Sequence, residues 1–584
     1  MLYRHIRVVC RVIPHSGAQY RGKHGEFFRG VRLCPDTVHH RPELKNTMQF
    51  DDILKEVGEF GPYQKSIYFL LCLPALFLAA IDVLNAYLMY SPAHFCATEG
   101  SSGQLKGQPA NLSSDYNSSY SYKYEQCRVT ALSNSTNITS YSCSSWTYDE
   151  TVFSSTFVSE LNLVCDSALT SAYMQVIIHS GVLTGSVLQG FVSDRFGRKL
   201  VLCGSSAIAM VTGISSVFFT NIYIFTALRH IQSLCASSLY STIFVLGVEF
   251  VGPSKRLFAG VIINFVYSTG LILLAGVAYG ARDWKVIQIA CSAPFLLFSL
   301  YWWIVPESPR WLISQCRYKE AKEIIHKIAK WNNREDNFSP EQLTSRREEH
   351  APEKLHFCNL FSSWSIFIRC VIICVNWLAV IMAYFGFSLN AANLSGDFYL
   401  NHLIAGLVEF PANAVAIFLL DRIGRKRLFM LAMTLGGVCL LISGAVELLW
   451  PIDVLSVSFG MLGKFGLTIS YAVVYVWSSE LFPTGLRSTG LGLAIFVGGT
   501  GYMIAPYIIQ LALRVPGFGR ALPLFLFAGL SLVASFLTFL LPETTKEYLP
   551  ETLQINIKRK EVVDEINQSK KSDIQSVNEL NVYM

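Results

Sequence analysis

Charge is what this chain has least of: 15% of its 584 residues are Asp, Glu, Lys or Arg, against about 25% in a soluble globular domain. So little charge cannot coat a folded surface for water, which excludes an ordinary soluble domain. Catalytic and cofactor signatures are lacking too. There is no Gly-x-x-x-x-Gly-Lys-Ser/Thr phosphate loop, no nucleophile elbow and no His/Cys cluster, and none of the 15 cysteines falls in Cys-x-x-Cys. No catalytic residue, cofactor or metal is therefore expected, and the chain does not read as an enzyme. A net charge of +6 is too small and too scattered for a nucleic-acid surface. No secretory signal peptide is visible, so targeting is expected to fall to the first apolar span.

What the chain has is long apolar runs. Hydrophobic side chains make up 52% of it and aromatics 13%, and a helix crossing a bilayer needs about 20 consecutive apolar residues. Twelve runs qualify, at 66–90, 170–193, 200–219, 222–248, 257–280, 286–305, 364–390, 398–420, 428–447, 453–478, 488–512 and 521–541. One polar stretch, 91–168, parts the first two, and another, 306–363, parts the sixth from the seventh. The expected fold is an all-α membrane protein with twelve transmembrane helices in two six-helix halves, 66–305 and 364–541, and a large loop between helices 1 and 2. An N-terminal segment, 1–65, and a polar tail, 542–584, flank them. Residues 1–47 carry nine basic and three acidic residues and are expected to be disordered, because an amphipathic helix begins at Met48.

Orientation follows from the short connections. On one side they hold ten basic residues (Arg195, Arg198, Lys199, Lys255, Arg256, Arg422, Arg425, Lys426, Arg427 and Arg487), and on the other four, Arg282, Lys285, Arg514 and Arg520. The cytoplasmic side keeps the excess, so both termini are expected there. The 91–168 loop then lies outside, where its four Asn-x-Ser/Thr sequons, at Asn111, Asn117, Asn134 and Asn137, become glycosylation acceptors. Cys96, Cys127, Cys143 and Cys165 share that oxidising loop and suit two disulfides. All three pairings remain open.

A short basic motif occurs twice. Gly190-Phe-Val-Ser-Asp194-Arg195-Phe-Gly197-Arg198-Lys199 lies between runs two and three, and Asp421-Arg422-Ile-Gly424-Arg425-Lys426 between runs eight and nine. Small residues let membrane helices approach closely, so Gly190 is expected to pack against a neighbouring helix. Asp194 is expected to pair with a nearby Arg, or with a helix N-terminus across the interface of the halves, biasing its opening and closing. The second copy has Ile417 in place of the leading glycine. Glu307 and Arg310, in Pro306-Glu307-Ser-Pro-Arg310, offer a similar acid and base set. A plain positive-inside anchor, and a Pro-terminated helix end, are the simpler alternatives.

With these motifs the chain resembles the organic cation, organic anion and carnitine transporter family of the major facilitator superfamily. The likeness also runs through Asn162-Leu-Val-Cys165, Arg282-Asp-Trp284, Gly386-Phe-Ser-Leu-Asn390, Glu480-Leu-Phe-Pro-Thr484 and Pro542-Glu-Thr544, spanning about 50–550. It implies a central cavity and alternating access by rocking of the two halves. Four loop cysteines, rather than the six frequent in the cation branch, look more like the carnitine branch.

Ionisable residues inside spans are costly and usually face a partner or a water-filled cavity. Four stand out: Asp82, Arg229, Glu409 and Lys464. Arg229 resembles the superfamily's structural arginine in the fourth helix. Asp82 lies about eight residues inside the first span, roughly 12 Å deep. If Glu409 pairs with Lys464, Asp82 is left as the unmatched negative charge.

Tyr240, Phe265, Tyr267, Tyr384, Tyr471, Tyr475, Trp477 and Phe496 fall on spans where the family builds its cavity, and aromatic faces attract ammonium groups by about 0.5 to 2 kcal/mol each. In the eleventh span, family members often carry a charge where this chain has Gly499. That departure weakens an anion assignment most. The expectation is a plasma-membrane carrier of small organic cations or zwitterions, carnitine-like or quaternary ammonium compounds, with sodium or proton as a conceivable coupled ion. An organic anion carrier of the same family and a sugar-type facilitator are the alternatives.

Overall fold

A computed structural model of the protein describes residues 50–97, 113–114, 120–124, 126–133, 139–143, 145–335, 364–450, 452–482, 487–512, 515 and 518–543. The expected disorder of 1–47 and the four sequons at Asn111, Asn117, Asn134 and Asn137 lie outside the described residues.

Among the described residues twelve helices are long and apolar enough to cross a membrane: α1 (Pro62–Leu88), α2 (Cys165–Phe196), α3 (Arg198–Phe218), α4 (Ile222–Phe250), α5 (Phe258–Ala281), α6 (Trp284–Trp302), α7 (Phe367–Asn393), α8 (Phe398–Ile423), α9 (Arg425–Leu449), α10 (Asp453–Ser478), α11 (Gly490–Ala512) and α12 (Ala521–Thr538). Each corresponds to one apolar run. The ends shift where capping chemistry decides them. Pro62 opens α1 as its first helical residue, where a missing N–H costs nothing. Side chains of Asn221, Asp283 and Asp397 accept from the first backbone N–H groups of α4, α6 and α8. Gly197 and Gly424 have φ of 102° and 99°, a conformation open to glycine, and this turns α2 into α3 and α8 into α9 without a connecting loop.

Two bundles result. In the first, α2 and α3 pack along α4, and α1 packs on α5; in the second, α9 packs between α10 and α12, and α7 between α11 and α12. Two seams join them, α2 against α11 and α5 against α8. The backbone of α4 lies so close to α2 at Gly185 that a Cβ there meets the Leu234 carbonyl.

The excursion between α1 and α2 is β structure, which the polar composition did not indicate. β1 (His94–Cys96) pairs antiparallel with β6 (Trp146–Tyr148). β2 (Ser113–Ser114), β3 (Tyr120–Tyr124), β4 (Arg128–Ser133) and β5 (Thr139–Ser142) form a second sheet in sequence order. The disulfides are Cys96 with Cys143 and Cys127 with Cys165, one of the three pairings left open by sequence. The loop then docks on both halves. Trp284 and Lys285 of α6 donate to Glu160 at 2.8 Å each, and Phe153, 2% exposed, sits against Phe398 and Tyr399 of α8.

On the opposite, basic face the short helix Phe50–Glu56 is tied to α5's approach by Arg256, which donates to Asp51 at 2.6 Å. That hydrogen bond holds the Asp51 carboxyl below the usual carboxylate range.

Candidate functional site

Where the seams converge, midway along the helices, a cavity opens between the halves. Asp82 of α1 and Glu409 of α8 line it together with Tyr240, Tyr267, Tyr384 and Tyr471, and no Lys, Arg or His does so among the described residues. Phe385, Tyr475 and Tyr502 line it as well.

The two carboxylates have different surroundings. Glu409 is 1% exposed and fully engaged. Lys464 Nζ lies 3.0 Å from its Oε1, Tyr384 donates to the same oxygen at 2.5 Å, and Ser268 donates across the seam to Oε2 at 2.7 Å. Lys464 in turn donates to Ser388 at 2.7 Å and lies 3.2 Å from the Tyr384 ring centroid. This charge pair neutralises itself inside the protein. Asp82 is half-buried and its Oδ2 accepts from the Tyr267 hydroxyl at 3.0 Å. It belongs to no described ion pair. A phenol satisfies one lone pair and brings no positive charge, so among the described residues Asp82 is the lining carboxyl without a basic partner.

The aromatics fall into two sets in ring contact. Tyr384 stacks on Tyr471 at 5.0 Å, Tyr471 meets Tyr475 at 5.6 Å, and Tyr240 meets Tyr267 at 6.0 Å. Tyr502 of α11 donates to the Asp82 carbonyl at 3.1 Å and stands against Phe385 at 4.2 Å. Three of the aromatics named from sequence do not line the cavity. Phe265 packs on Phe410, Trp477 packs on Phe429, and Phe496 is 44% exposed on the outer surface. Periodicity in an all-apolar helix does not mark which face looks inward. Tyr502, Asn264 and Asn413, which do line it, escaped the sequence reading for the same reason. Gly499 lines it as expected, and Lys464 stands behind Glu409.

Arg229 is 0% exposed and bonded to neutral groups, Asn85 at 2.8 Å and Gln232 at 2.5 Å. That makes it a network residue of the first half.

The repeated motif builds two matching clusters on the basic face. Arg198 pairs with Asp194 at 3.1 Å and Glu249 at 3.5 Å, and Arg425 pairs with Asp421 at 3.0 Å and Glu480 at 3.2 Å. Glu307 accepts from the backbone N–H groups of Arg198 and Lys199, and Glu543 from those of Arg425, Lys426 and Arg427. A carboxylate at a helix N-terminus satisfies orphan donors and complements the dipole. Of the two partners expected for Asp194 the structure gives the nearby arginine, Arg198, one helical turn away in its own half. Two expectations are corrected here. Glu307 binds backbone, and Arg310 is solvent-exposed. A Cβ on Gly190 meets nothing within 4 Å, so its closely packed neighbour is absent. Arg195 and Arg422 are exposed. Glu543 stands in the Pro542-Glu-Thr544 motif, and Glu249 carries no signal in the sequence.

The halves touch on the loop face. Tyr87 meets Phe398 at 5.2 Å and His402 at 4.7 Å, and Tyr399 donates to the Val152 carbonyl at 2.5 Å. On the basic face no described ion pair joins them, Asp194 is 76% exposed in its side chain, and Gly190 faces open space. Aromatic and hydrogen-bond contacts close the halves on each other at the loop face, and among the described residues no ion pair does so at the basic face.

The family model described as "Sugar (and other) transporter" matches residues 107–555. An "Organic cation transporter protein" of Drosophila melanogaster is 36% identical over 529 residues, covering 87% of this chain and 94% of its own length. "Organic cation/carnitine transporter 2" of Homo sapiens is 32% identical over 541 residues, covering 86% and 93%. Among solved structures, the inward open conformation of the xylose transporter XylE from E. coli matches with a TM-score of 0.59 at 16% identity, covering 84% of this chain and 99% of that one.

Proposed function

This chain belongs to the organic cation, organic anion and carnitine transporter family of the major facilitator superfamily, and from that premise we propose that it carries small organic cations, with Asp82 as the charge that selects them. It is a multi-pass membrane transporter and not an enzyme. The observation that carries the substrate reading is the cavity's charge balance. Glu409 is neutralised by Lys464 at 3.0 Å, which leaves Asp82 alone in a wall of tyrosines with no base beside it. A carboxylate within a low-dielectric aromatic enclosure attracts a cation electrostatically, and the ring faces add cation–π attraction. Relatives named as organic cation transporters support the same class. An anion has no basic group to meet in this lining.

In this reading Tyr240, Tyr384, Tyr471 and Tyr475 contact the cationic head, and the halves rock about the cavity. The Asp194–Arg198 and Asp421–Arg425 clusters, with Glu307 and Glu543, hold the basic-face ends of each half rigid while they part and close. The basic face is cytoplasmic, and the loop lies outside a plasma membrane with Asn111, Asn117, Asn134 and Asn137 as its acceptors. A monovalent cation is then drawn inward by the membrane potential, worth about 2.3 kcal/mol per 100 mV, or roughly fifty-fold accumulation, with no coupled sodium or proton required.

Uptake of labelled tetraethylammonium, carnitine, p-aminohippurate and glucose by cells expressing the chain tests the reading. Saturable entry of the quaternary cation is expected, and entry of p-aminohippurate or glucose alone would overturn it. Glycosidase treatment is expected to increase gel mobility of the protein from such cells, and unchanged mobility would contradict the placement of the loop.

A further inference from the structure

On the loop face, away from the cavity, His94, Cys127 and Cys165 bring one ring nitrogen and two sulfurs within 4.8 Å of one another, and we infer that, once a dithiol reductant has opened the Cys127–Cys165 disulfide, these three side chains bind a zinc ion. The inference is independent of what the carrier transports.

The three ligands come from separate stretches of chain. His94 opens β1, the strand that follows α1, Cys127 directly precedes β4, and Cys165 is the first residue of α2. No spacing rule joins residues so placed, and the sequence therefore showed no metal motif. The histidine is already set as a ligand. Its Nδ1 lies 3.0 Å from the Pro92 carbonyl, which can only accept, so the proton sits on Nδ1 and the Nε2 lone pair is available. A metal-binding His is held in the same way, its other N–H donated to a carbonyl or carboxylate. That Nε2 lies 3.8 Å from Cys165 Sγ. Zn–N and Zn–S bonds of about 2.0 and 2.3 Å, at a tetrahedral angle, put their nitrogen and sulfur about 3.6 Å apart. One edge of the tetrahedron is therefore in place. Freed from their bond, the two sulfurs need separate only to about 3.8 Å, and the fourth position falls to water. Two thiolates and a neutral imidazole suit zinc, whereas calcium and magnesium take oxygen ligands.

Access decides which disulfide opens. Cys127 and Cys165 are both half-buried, whereas Cys96 of the Cys96–Cys143 bridge is 4% exposed within β1. Thiolate attack needs a reachable sulfur. A dithiol attacks one sulfur to form a mixed disulfide while the other leaves as a thiolate. The reagent's second thiol then displaces the first cysteine, so the reductant departs as its own disulfide and the protein gains two thiols. Zinc binding releases both thiol protons to solvent, and neutral His94 gives up none. The ion thereby replaces the covalent tie between the second sheet and α2, and through His94 it adds the strand leaving α1 to that tie.

The test is zinc binding by the purified full chain in detergent, before and after reduction with dithiothreitol and its removal under argon. Alkylation and mass spectrometry identify the opened cysteines. The described free cysteines lie within the membrane-spanning helices and are present in both samples, so the oxidised protein is the blank. Reduced wild type is expected to bind one zinc ion per chain beyond that blank, and the ion to protect Cys127 and Cys165 from alkylation. His94→Phe keeps every cysteine and is expected to weaken the added site at least about 100-fold, the upper value for losing even an outer partner of a metal ligand. No added zinc on reduction overturns the site, as does undiminished affinity in His94→Phe, or resistance of Cys127 and Cys165 to reduction while Cys96 and Cys143 open.

Discussion

Glu409 and Lys464 illustrate how much a single buried charge depends on its partner. The pair is buried, 3.0 Å apart and satisfied at both ends by Tyr384, Ser268 and Ser388, so removing one member strands the other. Glu409→Gln is expected to destabilise the folded carrier by about 3 to 5 kcal/mol, and adding Lys464→Met to recover much of that, because the orphaned ammonium is removed as well. Thermal unfolding of the purified single and double variants in detergent checks this. A double variant no more stable than Glu409→Gln alone would show that the pair is not the unit of stabilisation. These two residues and Asp82 were legible in the sequence, since an ionisable residue stands out in an apolar run. Tyr502 was not, although it lines the same cavity. A tyrosine in a membrane helix suits lipid headgroups, a core and a cavity alike, and only the packing of α11 against α2 turns it inward.

At the scale of the element, glycine positions separate structural from mobile contacts. Gly185 lies against the α4 backbone, and its Cβ would meet the Leu234 carbonyl. Gly185→Val is therefore expected to abolish folding and surface delivery. Gly190, one and a half turns further along α2, faces open space, so Gly190→Leu fits the arrangement seen here. It is expected to reach the surface and bind substrate yet turn over slowly, because the added side chain stands where the halves must meet when the basic face closes. Surface biotinylation together with substrate binding and exchange distinguishes the two, and normal exchange by Gly190→Leu would remove α2 from the closing interface. Asp51 and Arg256 give an element-level pH dependence. The folded carboxyl is held low by the Arg256 hydrogen bond, so the contact adds stability above the unfolded value, near pH 4, and loses it as pH falls through the lower folded value. Being partly solvent-exposed, it is worth little in absolute terms. Asp51→Asn should reduce the drop in melting temperature between pH 5 and pH 3, measured on the same preparation. The twelve spans themselves were legible because length and hydropathy alone define a membrane helix. The β structure of the loop was not, since its short polar strands are held by disulfides whose pairing no spacing rule fixes.

For the molecule as a whole, the duplicated clusters brace each half internally while the loop face holds the halves together. Duplication was readable from the motif, and so was a nearby arginine partner for Asp194, but sequence could not choose between that partner and a helix N-terminus across the interface. Phe153 belongs to the seal, packed on Phe398 and Tyr399 from a loop anchored to the other half. Phe153→Ala is expected to raise labelling, from the loop side, of a cysteine placed at Gly499, and unchanged labelling would remove the loop from the seal. The cation selectivity proposed for the cavity is more local and rests on Asp82, a lining carboxyl that no base pairs with among the described residues. The most direct measurement is the initial rate of tetraethylammonium uptake under an imposed inside-negative potential, in wild type and in Asp82→Asn at matched surface level. Wild-type accumulation should rise roughly fifty-fold per 100 mV, and the variant's rate should fall at least about 10-fold, which corresponds to about 1.4 kcal/mol. Undiminished, potential-driven cation uptake by Asp82→Asn would contradict the assignment of selectivity to that residue.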